Sequence, residues 1–190
     1  MTAKHKIAVF ASGHGSNFEA IAHAALMGGI PADIVLLVCD KPGARVCQVA
    51  EQMGIPMFVF SAKEYANKAD YEQAIVERCK QAGVELICLA GYMRIVGETL
   101  LKAYSGQIIN LHPALLPAFK GARAIEQALE YGVKIFGATI HYVDESLDGG
   151  KIIAQRAVEY DGNDLEEITA KIHAIEHQLY IETIKKILNK

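Results

Sequence analysis

This sequence predicts an α/β fold: one doubly wound, mostly parallel sheet with a long C-terminal helix. Three observations carry that prediction. Short apolar, β-rich runs alternate with helical patterns through five cycles, which implies parallel strands joined by right-handed crossovers. Several of the helical patterns stop at glycine, as helices commonly do. The tail from Asp164 to Lys190 reads as one amphipathic helix. At 190 residues, with 52% hydrophobic and 22% charged residues, the chain is expected to form a single domain over 1–190.

Taken in order, KIAVFA (6–11) is a continuous apolar run suited to a strand buried on both faces. NFEAIAHAALMGG (17–29) comes next, with helical spacing through Phe18, Ile21, Ala22 and Ala25. DIVLLVCD (33–40) is the second strand, ARVCQVAEQMG (44–54) a helix, and PMFVFS (56–61) the third strand. Residues 70–83 form a helix with Ile75, Val76 and Cys79 on one stripe. VELICLAG (84–91) and GQIINLH (106–112) are strands four and five. After a proline-bracketed loop comes a helix over 122–132, then two further strand candidates at 134–144 and 151–160. Asn163 or Asp164 is the expected cap of the final helix, with Glu166 and Glu167 in its favourable first turn.

A net charge of −3 argues against nucleic acid as the main partner, because phosphate backbones select basic faces. It leaves room for a small anionic ligand held by a few local donors. Cys39, Cys47, Cys79 and Cys88 lack CxxC spacing and read as reduced, structural thiols of a cytoplasmic protein. Neither a secretory leader nor an apolar stretch approaching a membrane span is evident.

Ligands of open α/β sheets bind beyond the carboxyl ends of the strands. Strand one ends in Ser12-Gly13-His14-Gly15-Ser16-Asn17, directly before a helix. Glycines there let successive N–H groups converge at a helix N-terminus, which suits a phosphate. The turn is neither a Walker loop nor a full dinucleotide fingerprint. It also serves as a plain strand–helix connection with Ser16 or Asn17 as N-cap. Its position at the first strand's carboxyl edge favours phosphate.

The second cluster is INLHPALLPAF (109–119). Period-two alternation puts Asn110 and His112 on one side of strand five, at its carboxyl end, and Pro113 and Pro117 stiffen the loop beyond. HYVDESLDGGK supplies Asp148, whose two adjoining glycines suit a sharp loop that swings a carboxylate back. Such residues are more often structural: a satisfied histidine, a turn-forming aspartate. Together they make a kit for acyl transfer. Asn110 can donate to an oxyanion. His112 can help hold it and then protonate a leaving nitrogen, while a carboxylate favours the charged imidazole. With no serine or cysteine nucleophile beside them, direct transfer to an external amine fits.

ASGHGSN, AGYMRIV, INLHPALLPAFKG and GATIHYVDESLDGGKII together resemble the phosphoribosylglycinamide formyltransferases of purine biosynthesis, within the folate-dependent formyltransferase superfamily. The resemblance covers nearly the whole chain and implies a Rossmann-like fold. It implies formyl transfer from 10-formyltetrahydrofolate to glycinamide ribonucleotide, without a metal, by a monomer or weak homodimer. It further implies a phosphate-binding half over about 1–105 and a catalytic and folate-binding half over about 106–190. Matched by position, Asn110, His112 and Asp148 are the catalytic trio. Gly15, Ser16, Asn17, His173 and Glu176 are the ribonucleotide site. Lys68, Met93, Arg94, Ile95, Val96, Asn110, Asp144, Glu145, Ser146, Leu147 and Asp148 are the folate site. Two positions depart from the family pattern. Lys68 stands where many members carry arginine, which keeps the charge and loses the bidentate fork. Gly121-Ala122-Arg123-Ala124 lacks a histidine that many members have there.

The same residues also support rival readings. His173-Ala-Ile-Glu-His177 matches the HxxEH pattern of zinc peptidases, yet no distal carboxylate ligand is found within the 13 residues that remain. Methionyl-tRNA formyltransferases share the trio and normally append a basic C-terminal domain. Formyltetrahydrofolate hydrolases normally add an N-terminal regulatory domain. A non-catalytic nucleotide- or folate-binding module needs the turn but not both His112 and Asp148.

Overall fold

The computed structural model describes residues 4–189. Seven strands form one sheet: β1 (His5–Phe10), β2 (Ala32–Cys39), β3 (Met57–Val59), β4 (Leu86–Leu89), β5 (Ile108–His112), β6 (Ile135–Tyr142) and β7 (Ile152–Glu159). Their order is β3-β2-β1-β4-β5-β6-β7. The first five run parallel, and β6 and β7 are antiparallel additions at one edge. The helices are α1 (Ser16–Leu26), α2 (Arg45–Gln52), α3 (Lys68–Ala82), α4 (Glu98–Ala103), α5 (Ala124–Tyr131) and α6 (Leu165–Leu188).

Alternation along β1 divides the core. Ile7, Val9 and Ala11 pack with the apolar stripes of α1, α2 and the end of α6. Ala8 and Phe10 pack on the opposite side with α3 and Leu100 of α4. Both faces of the central strands are thereby covered, which explains their unbroken apolar runs. A smaller cluster joins α5, Phe136 of β6 and the first turns of α6.

The alternating pattern located every expected strand and helix, with ends that differ by a few residues. Asp164 rather than Asn163 caps α6, accepting from Glu166 N–H at 2.8 Å and Glu167 N–H at 3.0 Å. Helix α1 corrects the expected cap: Gly15 holds that position at φ 84°, Ser16 is the first helical residue, and no side chain caps the end. A Cβ at residue 15 would stand 2.6 Å from Val46 Cγ2, so this position requires glycine for space as well as for φ. The six-residue α4 was not expected. Its capping acceptor comes from another element, the buried Glu72 of α3, which accepts from Gly97 N–H at 2.5 Å and Leu100 N–H at 3.3 Å.

The last helix is anchored beneath the crest of the sheet. Tyr180 is fully buried, and its hydroxyl donates to the Leu89 carbonyl at 2.8 Å, with the Ile109 carbonyl 3.4 Å away. Tyr180→Phe leaves those acceptors without their donor and is expected to cost about 1–3 kcal/mol. Urea unfolding of the two proteins measures it, and equal midpoints at equal slope refute it.

Candidate functional site

Strand β5 ends in Asn110 and His112, set in antiparallel register with β6 so that Asn110 faces His141 and His112 faces Thr139. Thr139 fastens the loop after β5: its hydroxyl donates to the Ala114 carbonyl at 2.7 Å and accepts from Leu116 N–H at 3.0 Å. Gln155 of β7 donates to the Leu116 carbonyl at 2.9 Å. The loop is therefore held by side chains of β6 and β7 as well as by its prolines.

His112 is 4% exposed, and both its nitrogens are assigned by their surroundings. Nε2 lies 2.8 Å from the Phe119 carbonyl, which can only accept, so Nε2 carries a hydrogen. Nδ1 faces Asp148 Oδ2 at 3.4 Å, an ion-pair distance rather than a close hydrogen bond. The same Asp148 oxygen accepts Gly121 N–H at 2.8 Å. Asp148 adopts a left-handed backbone, φ 46°. A Cβ at Gly150 would lie 1.8 Å from the Tyr142 carbonyl oxygen, so the second loop glycine permits this close return.

His141, which the sequence reading did not single out, is 2% exposed and completes the array. Its Nδ1 lies 2.8 Å from the Tyr142 carbonyl and must donate there. Burial lowers its pKa against the opposing pull of that carbonyl and of Asp148, so the ring is neutral near pH 7. Nε2 is then an acceptor, and it lies 3.1 Å from Asn110 Nδ2. The amide orientation is thereby set: Asn110 gives one N–H to His141 and keeps the other. A period-two reading of strand 134–144 beside Asn110 offers a way to find this residue.

The first turn lines a second region, a cleft of about 410 Å³ bordered by Ser12 to Asn17, Lys41, Ala90, Gly91, Met93 and His173. The uncapped N-terminus of α1 meets this cleft. His14 is exposed and lies on its wall, and Lys41 adds a cation that the motif reading missed. Asn17 Nδ2 donates to Glu176 Oε2 at 3.0 Å, and Asn17 Oδ1 is buried without a partner. Glu176 is 4% exposed, and burial raises its carboxyl to about 7 despite the Asn17 hydrogen bond. Gly15, Ser16, Asn17, His173 and Glu176 are thus brought together. Among the described residues, no group of three or more His, Cys, Asp or Glu side chains is arranged to hold a metal ion.

The expected folate residues divide. Met93–Val96 follows the strand expected over 84–91; β4 closes at Leu89 and Gly91 turns the chain at φ 81°. Met93 is 72% and Ile95 68% exposed, whereas Val96 is turned into the core. Arg94 is engaged internally, with Nε 2.7 Å from Asp40 and its guanidinium over Tyr71. Val96 can therefore offer only backbone groups, whereas the Arg94 side chain stays about a third exposed beside its pairing with Asp40. Lys68 is exposed beside Gly97. In the loop after β6, Asp144 closes a turn by accepting Ser146 N–H at 2.8 Å, while Glu145 and Leu147 are exposed.

A doubly wound sheet with an anion-receptive first turn, beside a buried amide–imidazole–carboxylate group, defines an α/β group-transfer enzyme. The sequence pattern of the formyl transferase family matches residues 5–184, and the chain belongs to that family. It is 55% identical to the phosphoribosylglycinamide formyltransferase of Bacillus subtilis, over 96% of this chain and 94% of that one. It is 40% identical to the trifunctional purine biosynthetic protein adenosine-3 of Drosophila melanogaster, spanning 98% of this chain but 14% of that longer protein. The crystal structure of glycinamide ribonucleotide transformylase 1 from Geobacillus kaustophilus superposes with a TM-score of 0.95. It is 49% identical and covers 97% of this chain and 99% of that one.

Glu176 makes stability depend on pH. Its folded value of about 7 lies above the ordinary 4.5, so the folded state holds the proton longer than the unfolded chain. This contribution is fully present below pH 4.5 and lost as pH rises to about 7, a difference on the order of 3 kcal/mol. Glu176→Gln is expected to remove that slope. Denaturant midpoints at pH 5 and pH 8 test it, and an unchanged difference between the two proteins refutes it.

Proposed function

We propose that this enzyme transfers the formyl group of 10-formyltetrahydrofolate to the primary amine of glycinamide ribonucleotide. The phosphate rests on the turn Gly15–Asn17 with Lys41 nearby, and His173 and Glu176 meet the glycinamide side. The folate lies between Met93–Val96 and the loop Asp144–Asp148, with Lys68 toward its glutamate tail. On this reading the whole chain acts as one domain, with the phosphate carried by about 1–105 and the chemistry by about 106–190.

The amine nitrogen attacks the formyl carbon directly, and a C–N bond forms while the carbonyl oxygen becomes an oxyanion. Asn110 donates its remaining N–H to that oxygen, a contact worth roughly 2.7–4 kcal/mol in such transition states. His112 acts through Nδ1, because Nε2 is committed to the Phe119 carbonyl. Its Nδ1–H supports the oxyanion and then passes to N10 of the folate as the C–N10 bond breaks. Asp148 holds that proton in place and takes up the amine's proton through water. The products are formylglycinamide ribonucleotide and tetrahydrofolate.

The observation that carries this reading is the convergence of Nδ1 of His112 and Asp148 beside Asn110, next to a phosphate-ready turn. The match along nearly the full length of the B. subtilis enzyme supports the choice of acceptor. We read the partners as small molecules rather than nucleic acid, and the enzyme as a cytoplasmic monomer or weak homodimer. The net charge of −3 accords with that.

Two measurements test the proposal. Offered 10-formyltetrahydrofolate with glycinamide ribonucleotide or with formylatable tRNA, the purified protein is expected to formylate the ribonucleotide alone. Turnover of the tRNA instead refutes the assignment. His112→Ala is expected to lower kcat by about 10²–10⁴-fold with ribonucleotide affinity largely kept. Near-normal turnover in that variant removes His112 from the chemistry.

A further inference from the structure

A buried carboxylate lies between the two proposed substrate sites and takes no part in the chemistry above. Asp40 comes directly after β2, is 5% exposed, and uses both oxygens. Oδ1 accepts the hydroxyl of Ser12, which lies just beyond β1 and is itself 1% exposed. Oδ2 pairs with Arg94 Nε at 2.7 Å. The Ser12 hydroxyl also accepts Met93 N–H at 2.8 Å. Ser12, Asp40, Arg94 and Met93 therefore close a ring through the peptide between the last two. Because β2, β1 and β4 are adjacent, this ring ties together the ends of three neighbouring strands.

The ring has a substrate site on each side. Ser12 and Met93 border the cleft of the first turn. Met93 to Val96, of which Met93 and Ile95 are exposed, form the segment expected to receive the folate. That segment is clamped again at its far end, where Glu72 accepts Gly97 N–H at 2.5 Å. An irregular stretch between β4 and α4 has no ladder to fix its course, so these polar contacts fix it. The Asp40 side of this pair is buried, so loss of Arg94 would leave an uncompensated carboxylate. Loss of the carboxylate charge leaves a guanidinium about a third exposed without its anion.

We infer that Asp40 is a positioning residue, which acts through Ser12 and Arg94 to hold the 93–96 segment in the shape that receives the folate, aligned with the ribonucleotide turn. This inference rests on the formyl-transfer reading of the site. Asp40→Asn keeps an acceptor for Ser12 but places an amide against a guanidinium that needs an anion. The segment then loses its fixed course while the turn itself, built on Gly15 and the start of α1, stays intact.

The experiment measures binding of tetrahydrofolate and of glycinamide ribonucleotide separately by calorimetry, with KM and kcat for 10-formyltetrahydrofolate alongside. Asp40→Asn is expected to raise the folate Kd and KM about tenfold, with ribonucleotide affinity and kcat within about threefold. Ser12→Ala is expected to act in the same direction, and Ser12→Thr, which restores a hydroxyl, to recover most of the loss. The serine pair decides the matter if Asp40→Asn fails to fold. Equal weakening of both ligands, or of neither, overturns the inference and leaves the formyl-transfer reading standing. Failure of the unmodified protein to bind tetrahydrofolate overturns both.

Discussion

Two backbone carbonyls, those of Phe119 and Tyr142, decide what the two buried histidines can do. A carbonyl only accepts, so each claims an N–H and fixes which ring nitrogen remains. For His112 the remaining nitrogen, Nδ1, faces the Asp148 carboxylate at 3.4 Å. For His141 it faces the Asn110 amide at 3.1 Å, with Asp148 Oδ1 3.7 Å away, and burial favours the neutral ring. Two identical side chains on neighbouring strands thus present different nitrogens, Nδ1 of His112 and Nε2 of His141. Asn110 owes its direction to this second ring.

The antiparallel edge explains how the aspartate arrives. Because β6 runs against β5, its last residue, Tyr142, pairs with Ile109 rather than with the end of β5. The loop after β6 begins behind Asn110 and His112 and has to fold back toward them. The left-handed backbone at Asp148 and the crowded Gly150 are the local means. The same register puts Thr139 opposite His112, where it can fasten the loop that supplies the Phe119 carbonyl.

Much of this was legible in the sequence, for reasons that differ by element. Central strands and amphipathic helices announce themselves because burial on one or two faces writes a period into the residues. Asn110, His112 and Asp148 were legible through spacing, loop chemistry and family resemblance together. Helix α4 was not, because its cap is a glutamate 25 residues earlier on α3, and nothing local marks its start. His141 was hidden for a related reason: within an apolar strand it reads as one more buried residue, and its role appears only once β5 lies beside it. Arg94 was legible as part of a motif, but not as a side chain spent on Asp40.

The last helix has a consequence for the order in which the molecule becomes competent. Glu176 reaches Asn17 beside the first turn, and Tyr180 reaches the carbonyls of Leu89 on β4 and Ile109 on β5. Ribosomes release these residues after everything they touch, because synthesis proceeds from β1 toward α6. The residues that close one side of the cleft are therefore the last of it to be synthesised.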